Sequence, residues 1–201
     1  SQYIISLNAA TALELGNFYE DAANWLAEAK GRNPQPYLGS EWLQALIVQA
    51  KRQLQADPDW LTNNSVLGVE FGSSDEPEWP KLADRQNWAK RAKHALFNQI
   101  RGRLRFAEPP DPLIGDLLFD YANLEVLTGN HEAAEKLFET SLKYQPPRRQ
   151  MAERRLQYLK NNRPEVGMAG SRYRLFIGAL ALCALAAFVV VFQKRKKGMK
   201  N

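Results

Sequence analysis

An uncharged apolar run near the C-terminus limits what this chain can fold into more than any other feature. Residues 175–192 read LFIGALALCALAAFVVVF, without a single charged side chain. As a helix that rises 1.5 Å per residue, this run is about 27 Å long, close to the hydrocarbon thickness of a bilayer. A core helix of a soluble domain is normally apolar on one side only. The run therefore predicts a transmembrane helix over residues 172–193.

Basic residues flank the predicted span on both sides. The tail, residues 194–201, holds five positive charges and no acid. Four basic residues precede the uncharged run at residues 175–192: Lys160, Arg163, Arg172 and Arg174. The positive-inside rule therefore favours a cytoplasmic C-terminus, with the preceding domain outside the cytoplasm (the periplasmic side in a bacterium). A tail-anchored protein with a cytosolic domain is the alternative. Residues 164–171, PEVGMAGS, are predicted to form a short linker.

The residues that most often carry chemistry are scarce. The single cysteine, Cys183, lies inside the apolar run, so the rest of the chain has no disulfide and no thiolate metal site. His94 and His131 are far apart, and no phosphate-binding glycine loop or Gly-x-Ser-x-Gly motif occurs. We therefore predict no catalytic residue, no cofactor and no metal, and expect that the protein is not an enzyme.

Two stretches of the chain are similar to each other. Residues 16–34, GNFYEDAANWLAEAKGRNP, align with residues 129–146, GNHEAAEKLFETSLKYQP, if the first copy has one extra residue in its turn. Each follows an apolar helical stretch, residues 4–15 and 113–127. The pattern predicts two helix pairs, each with a glycine turn between its helices and a proline at its end.

The turns have the residues that such helix pairs need. Gly16 and Gly129 are predicted to end the first helix of each pair, because glycine readily adopts the left-handed conformation. Asn17 and Asn130 are then predicted to cap the second helix.

This pattern resembles the tetratricopeptide repeat, over residues 2–35 and 115–147. The resemblance implies antiparallel helix pairs that stack into a solenoid, whose curved surface binds peptides or other proteins. It assigns eleven residues to helix packing rather than to ligand contact: Ala9, Gly16, Ala22, Leu26, Ala29, Pro34, Ala122, Gly129, Ala134, Phe138 and Pro146.

The middle of the chain, residues 36–106, is predicted to hold two divergent repeat helices and an acidic segment. Apolar spacing predicts helices over residues 41–55 and 84–105, the first with Ser40 as its N-cap. The acidic segment, residues 56–80, has six acids, no basic residue and three large aromatics, which are Trp60, Phe71 and Trp79. These aromatics either pack on the domain's own helices or form a docking loop for a partner.

Two basic stretches follow the acidic segment. Residues 81–105 are predicted to lie beside it and to pair with its charges. Residues 143–163, which include Arg148, Arg149, Arg154 and Arg155, precede the linker and are predicted to face the membrane surface. No nucleic-acid-binding module is recognisable, so the basic stretches do not favour a nucleic-acid partner.

The sequence as a whole predicts an all-α protein: a helical-repeat solenoid over residues 1–163, then the linker, the transmembrane helix and the basic tail. The favoured function is a membrane-anchored scaffold or adaptor that binds a protein partner at or in the bilayer. The alternative is a structural subunit of a larger membrane complex. Small residues spaced four apart, Ala179, Cys183 and Ala187, would then form an interface within the membrane.

Overall fold

The computed structural model describes residues 2–32 and 39–162, and this part of the chain is all-helical, with no strand. Its eight helices are α1 (Gln2–Leu15), α2 (Tyr19–Arg32), α3 (Glu41–Ala56), α4 (Trp60–Asn63), α5 (Arg85–Arg103), α6 (Pro112–Leu127), α7 (His131–Lys143) and α8 (Arg149–Asn161). The all-α prediction is confirmed for this part of the chain.

Successive helices along the chain supply most of the packing. The closest pairs are α1 with α2 and α6 with α7, and α2 also packs on α3, α5 on α6, and α7 on α8. Short connections between the paired helices favour this antiparallel, nearest-neighbour arrangement. The described helices therefore form a series of hairpins.

Three apolar clusters hold the helices together. The N-terminal cluster joins α1 and α2 to Val48 of α3. The central cluster joins α3, α4, α5 and α6 with residues 66–71 of the acidic segment, and the C-terminal cluster joins α6, α7 and α8. Helix α6 contributes to the last two, which is why 13 of its 16 residues are buried and its sequence is apolar on nearly every side.

The turn after α1 differs from its prediction by one residue. Asn17, with φ 64°, is the left-handed residue there, and Gly129, with φ 81°, is its counterpart after α6. The N–H of Phe18 donates to the carbonyl of Leu13 at 2.9 Å, and that of Asn130 donates to the carbonyl of Glu125 at 2.8 Å. Both turns are thus the same helix-ending motif. Asn17 ends α1 rather than capping α2, because asparagine tolerates the left-handed conformation.

The two helix pairs consequently align at a constant offset of 112 positions, with no extra residue in the first copy. Ala10 is the counterpart of Ala122, and both are fully buried, whereas Ala9 is only half-buried. In the second helices, each of the three buried residues of α2 has a buried counterpart in α7: Ala22 has Ala134, Leu26 has Phe138, and Ala29 has Ser141.

A buried carboxylate ties α1 to the helices beyond its own pair. Glu14 is 2% exposed, and its carboxylate contacts Arg103 of α5 at 2.6 Å and Lys51 of α3 at 3.0 Å. Two positive partners, of which Arg103 also donates hydrogen bonds, balance the cost of burying this charge. One side chain therefore joins the N-terminal helix pair to both middle helices.

Within residues 2–32 and 39–162, no helix is long and apolar enough to cross a membrane. The predicted linker, span and tail (residues 164–201) lie outside the described residues, as do Pro34, Ala179, Cys183 and Ala187.

Candidate functional site

The aromatic residues of the acidic segment face the domain's interior. Phe71 is buried in the central cluster, and Trp60 and Trp79 are half-buried against it. The guanidinium of Arg85 lies over the Trp79 ring, 5.4 Å from its centroid. The structure thus places the three candidate docking residues in contact with the domain's own helices.

The acidic segment is fastened to α8 by an arginine whose side chain is only 1% exposed. Arg155 Nη2 donates to the carbonyls of Phe71 and Gly72 at 2.9 and 2.8 Å, and Nε donates to the carbonyl of Ser74 at 3.2 Å. Its Nη1 donates to Oδ1 of Asn123 at 2.7 Å. The prediction that Arg155 belongs to a face turned toward the membrane is therefore wrong, because its hydrogen bonds are made inside the domain.

Exposed charges on α8 reinforce this attachment. Arg154 approaches Asp75 at 3.4 Å, and the Tyr158 hydroxyl donates to Glu76 at 3.0 Å. The acidic segment does lie beside a basic helix, as its charge predicts, but these contacts are made with α8 rather than with α5.

Two further carboxylates are buried beneath this segment. Asp116 and Asp120, one turn apart on α6, are both 0% exposed and share the guanidinium of Arg148. Nη2 of Arg148 lies 3.0 Å from Oδ1 of Asp120, and Asp116 also accepts a hydrogen bond from the Val66 N–H at 3.0 Å. We call Asp116, Asp120, Arg148 and Arg155 the buried ionic cluster.

An aromatic ring lies at the centre of the buried ionic cluster. The guanidinium carbons of Arg148 and Arg155 lie 4.5 and 5.5 Å from the centroid of the Phe119 ring. Such contacts stabilise a cation in a site where little water is present. One phenyl ring therefore supports both positive charges of the cluster.

Burial dominates the titration of Asp120 and Arg155 in this cluster. It raises the pKa of Asp120 to about 8, with a further contribution from the Asp116 charge, while Arg148 and Arg155 act in the opposite direction. Burial likewise lowers the pKa of Arg155 to about 10. Among residues 2–32 and 39–162, three buried side-chain atoms have no hydrogen-bond partner: Oδ2 of Asp120, Nδ2 of Asn123 and Nε of Arg148.

The raised pKa predicts how stability changes with pH. The unfolded pKa of an aspartate is about 4, so folding takes up a proton at Asp120 between about pH 4 and pH 8. The contribution of Asp120 to the stability of the wild-type protein should fall across that window and level off above it. Asp120→Asn removes this titration, so its stability relative to wild type should rise by at least about 1 kcal/mol between pH 4 and pH 8. Urea unfolding at a series of pH values measures this.

The matched control for this pH experiment is Asp75→Asn, which neutralises an exposed acid of the same segment. Its unfolding free energy should run parallel to that of wild type over the same range. Parallel curves for Asp120→Asn as well would contradict a titrating Asp120.

An open groove lies between α2 and α3. Its volume is about 470 Å³, and it is lined by Ala23, Ala45, Gln49, Arg52, Gln53 and Ala56. Gln49 and Gln53 are one turn apart and exposed, and Arg52 forms an exposed ion pair with Glu20 at 2.5 Å. The small alanines leave room between two amide side chains that each carry a hydrogen-bond donor and an acceptor.

Sequence reasoning missed both the buried ionic cluster and the groove. The signal for the cluster is the spacing of Asp116, Asp120 and Asn123 at i, i+4 and i+7, on one side of an otherwise apolar helix. For the groove, the corresponding signal is the spacing of Ala45, Gln49 and Gln53 on α3.

Over residues 2–32 and 39–162, these features define an all-helical fold with an internal ionic cluster that holds the acidic segment and an open polar groove between α2 and α3. Compared with known proteins, the chain matches no family model, no curated protein and no solved structure.

Proposed function

We propose that this protein is a membrane-anchored scaffold for protein–protein interaction, with a tetratricopeptide-like helical surface and an anchor at residues 172–193. The observation that carries the proposal is the open groove beside α3, since its lining suits the binding of an extended peptide. The constant spacing of the two helix pairs and the uncharged run at residues 175–192 support it.

The chemistry of the groove favours a peptide backbone as its ligand. A primary amide offers one donor group and one acceptor, which match the C=O and N–H of a peptide bond. Gln49 and Gln53 present two such amides, one turn apart along α3. Arg52 adds a positive charge that can bind a carboxylate if it exchanges its partner Glu20. The partner we propose therefore presents an extended segment with an acidic side chain or C-terminus.

Removing both amides is expected to weaken partner binding. Gln49→Ala with Gln53→Ala loses four hydrogen bonds, each of which contributes about 1 kcal/mol. Since a loss of about 1.4 kcal/mol already weakens binding tenfold, recovery of partner from native membranes should fall at least about tenfold. Quantitative mass spectrometry after a mild-detergent pull-down of the full chain measures this recovery.

The control for the amide variant is Gln157→Ala, which removes an exposed amide on α8, far along the chain from the groove. It should leave partner recovery unchanged. Equal recovery with the groove variant, or a loss with the control, would contradict the groove as the binding site.

The alternative function is a structural subunit of a larger membrane complex. The spacing of Ala179, Cys183 and Ala187 favours it, because small residues four apart allow helices to approach closely in lipid. Replacing the span with polyleucine distinguishes the two. A scaffold that needs only an anchor should keep its partners, whereas a subunit held by the span should dissociate.

A further inference from the structure

The solvent side of α5 is basic and carries exposed apolar side chains. At 100° per residue, five exposed residues of α5 and its C-cap, spaced at i, i+4, i+7, i+11 and i+14, fall within an arc of about 80°. We call them the α5 basic face: Lys90, His94, Phe97, Arg101 and Leu104. At a rise of 1.5 Å per residue, the face is about 21 Å long. The buried residues of α5 lie on the opposite side of the helix: Ala89, Ala92, Ala95, Leu96 and Ile100.

Further exposed residues extend the α5 basic face. Arg91 flanks it along one side, and Arg105 and Phe106 continue it past the end of the helix, where Phe106 is 70% exposed. The guanidinium of Arg101 lies over the Phe97 ring, 5.3 Å from its centroid, and Phe97 is itself 49% exposed. No acidic residue occurs between positions 85 and 107. The surface therefore combines positive charges with apolar side chains and has no acid of its own helix among them.

The charges of this surface are not used inside the domain. Among residues 2–32 and 39–162, no carboxylate forms an ion pair with Lys90, Arg91, Arg101 or Arg105. Helix α8 differs, because each of its basic residues makes an ion pair or a buried hydrogen bond within the domain. The positive charge of α5 is therefore available to an anionic surface, whereas that of α8 is already paired.

We propose that the α5 basic face docks on the anionic surface of a lipid bilayer, with the axis of α5 parallel to the membrane. Lysine and arginine near such a surface are attracted to its anionic headgroups. Their long side chains reach the phosphates while Phe97, Leu104 and Phe106 enter the boundary between headgroups and acyl chains. Basic and bulky apolar side chains together are typical of helices that lie in the plane of this interface.

Two observations favour lipid over nucleic acid as the anionic partner. Leu104 has no ring to stack on a base, whereas its side chain suits the acyl boundary. The uncharged run at residues 175–192 is long enough to span a bilayer, and such an anchor holds the domain at a high effective concentration beside the lipid. The docking shares this proposed anchor with the scaffold function, but it needs neither the groove nor a protein partner.

Quenching by lipid measures the docking in the purified full chain, reconstituted in vesicles that carry a quencher on their acyl chains. Cys183→Ser removes the native thiol, and His94→Cys carries a polarity-sensitive fluorophore on the α5 basic face. Quenching of this label should be at least about threefold stronger in vesicles that contain phosphatidylglycerol than in vesicles of phosphatidylcholine alone. Lys136→Cys, at an exposed position on α7, is the matched label and should be quenched weakly in both.

Reversing two charges should release the face from the lipid. Arg91→Glu with Arg101→Glu replaces attraction by repulsion, so quenching at position 94 should fall to its level in phosphatidylcholine. Arg149→Glu with Lys160→Glu changes the net charge equally on α8 and should leave the quenching unchanged. Because Arg91 and Arg101 are exposed and form no ion pair in the described part of the chain, the thermal midpoint of their variant should stay close to that of wild type.

Three results would overturn the proposed docking: equal quenching at positions 94 and 136, equal quenching in anionic and neutral vesicles, or equal losses with the α5 and α8 charge reversals. If anionic vesicles cause no quenching and a fluorescent single-stranded oligonucleotide binds the full chain but not the α5 reversal, the face belongs to nucleic acid instead. Flotation of the full chain with neutral vesicles at about 1 M salt, where the Debye length is about 3 Å, reports on the anchor alone. Failure of the anchor and failure of the α5 basic face are therefore distinguishable.

Discussion

Replacing Arg155 with alanine is expected to lower the free energy of unfolding by about 3–5 kcal/mol, the usual cost of removing one partner from a buried charged network. The guanidinium donates hydrogen bonds to the carbonyls of Phe71, Gly72 and Ser74 and to the side-chain amide oxygen of Asn123. Alanine leaves these acceptors without their donor and opens a cavity beside the Phe119 ring. Urea unfolding followed by tryptophan fluorescence measures the loss.

The chain provides a matched control in the preceding residue. Arg154 is exposed, donates to the carbonyl of Ser73 and approaches Asp75. Arg154→Ala should therefore cost less than about 1 kcal/mol. All five tryptophans lie between residues 25 and 88, so their fluorescence reports on the helical unit rather than on the predicted span. Equal losses for the two variants would contradict the fastening role of Arg155.

Gly115→Ala is expected to destabilise the protein by about 1–3 kcal/mol, although alanine is the better helix former. Gly115 lies in the first turns of α6, and an added Cβ would stand 2.9 Å from both Cα and N of Pro146. Those atoms belong to backbone, which cannot rotate away as a side chain can. The helix and the segment before α8 would have to separate, and both apolar clusters of α6 would loosen. Thermal unfolding of the full chain measures this.

Gly102→Ala tests the same substitution without the steric conflict. Gly102 is also helical, and among the described residues no atom beyond its chain neighbours and the nearby backbone of α5 lies within 4 Å of the position of an added Cβ. Its replacement should stabilise the protein by up to about 1 kcal/mol through helix propensity alone. Stabilisation by both substitutions would show that the approach of Pro146 to Gly115 is not a constraint.

Apolar periodicity was sufficient to predict most helices. The ranges predicted for the two hairpins and for the helices near residues 41–55 and 84–105 correspond to α1, α2, α3, α5, α6 and α7. The sequence does not predict helix α8, because residues 149–161 are rich in arginine, glutamine and lysine. Their apolar periodicity, from Ala152, Leu156 and Leu159, is therefore weak. A charge-rich helix shows its apolar stripe only when the partner surface is known.

The register of the first hairpin could not be predicted from residue type alone. Glycine is the most common residue at the left-handed position that ends a helix, so residue type predicts that Gly16 ends α1. The backbone places Asn17 at that position, and the packing residue of α1 moves from Ala9 to Ala10 as a result. A shift of one residue turns a helix by 100°, which is enough to change which alanine is buried.

The buried ionic cluster depends on contacts between residues far apart in sequence. Arg155 donates hydrogen bonds to carbonyls more than 80 positions earlier in the sequence, and Arg148 donates to carboxylates about 30 positions earlier. Local sequence shows a basic stretch that is typical of a solvated face. Only the packing of α8 against α6 and the acidic segment shows that Arg148 and Arg155 of this basic stretch make their contacts inside the domain.

The division of the core into three clusters has a consequence for how the protein opens. Helix α6 is shared by the central and C-terminal clusters, and Arg155 further links α8 to the acidic segment, so these parts can separate only together. The first hairpin is joined to the rest through Val48 and the contacts of Glu14, and α3 adds polar contacts with Tyr3, Thr11 and Glu20. Because its apolar cluster is small and separate, we expect the first hairpin to open with a smaller free energy than that of global unfolding. A molecule that binds the opened form has only this smaller free energy to overcome.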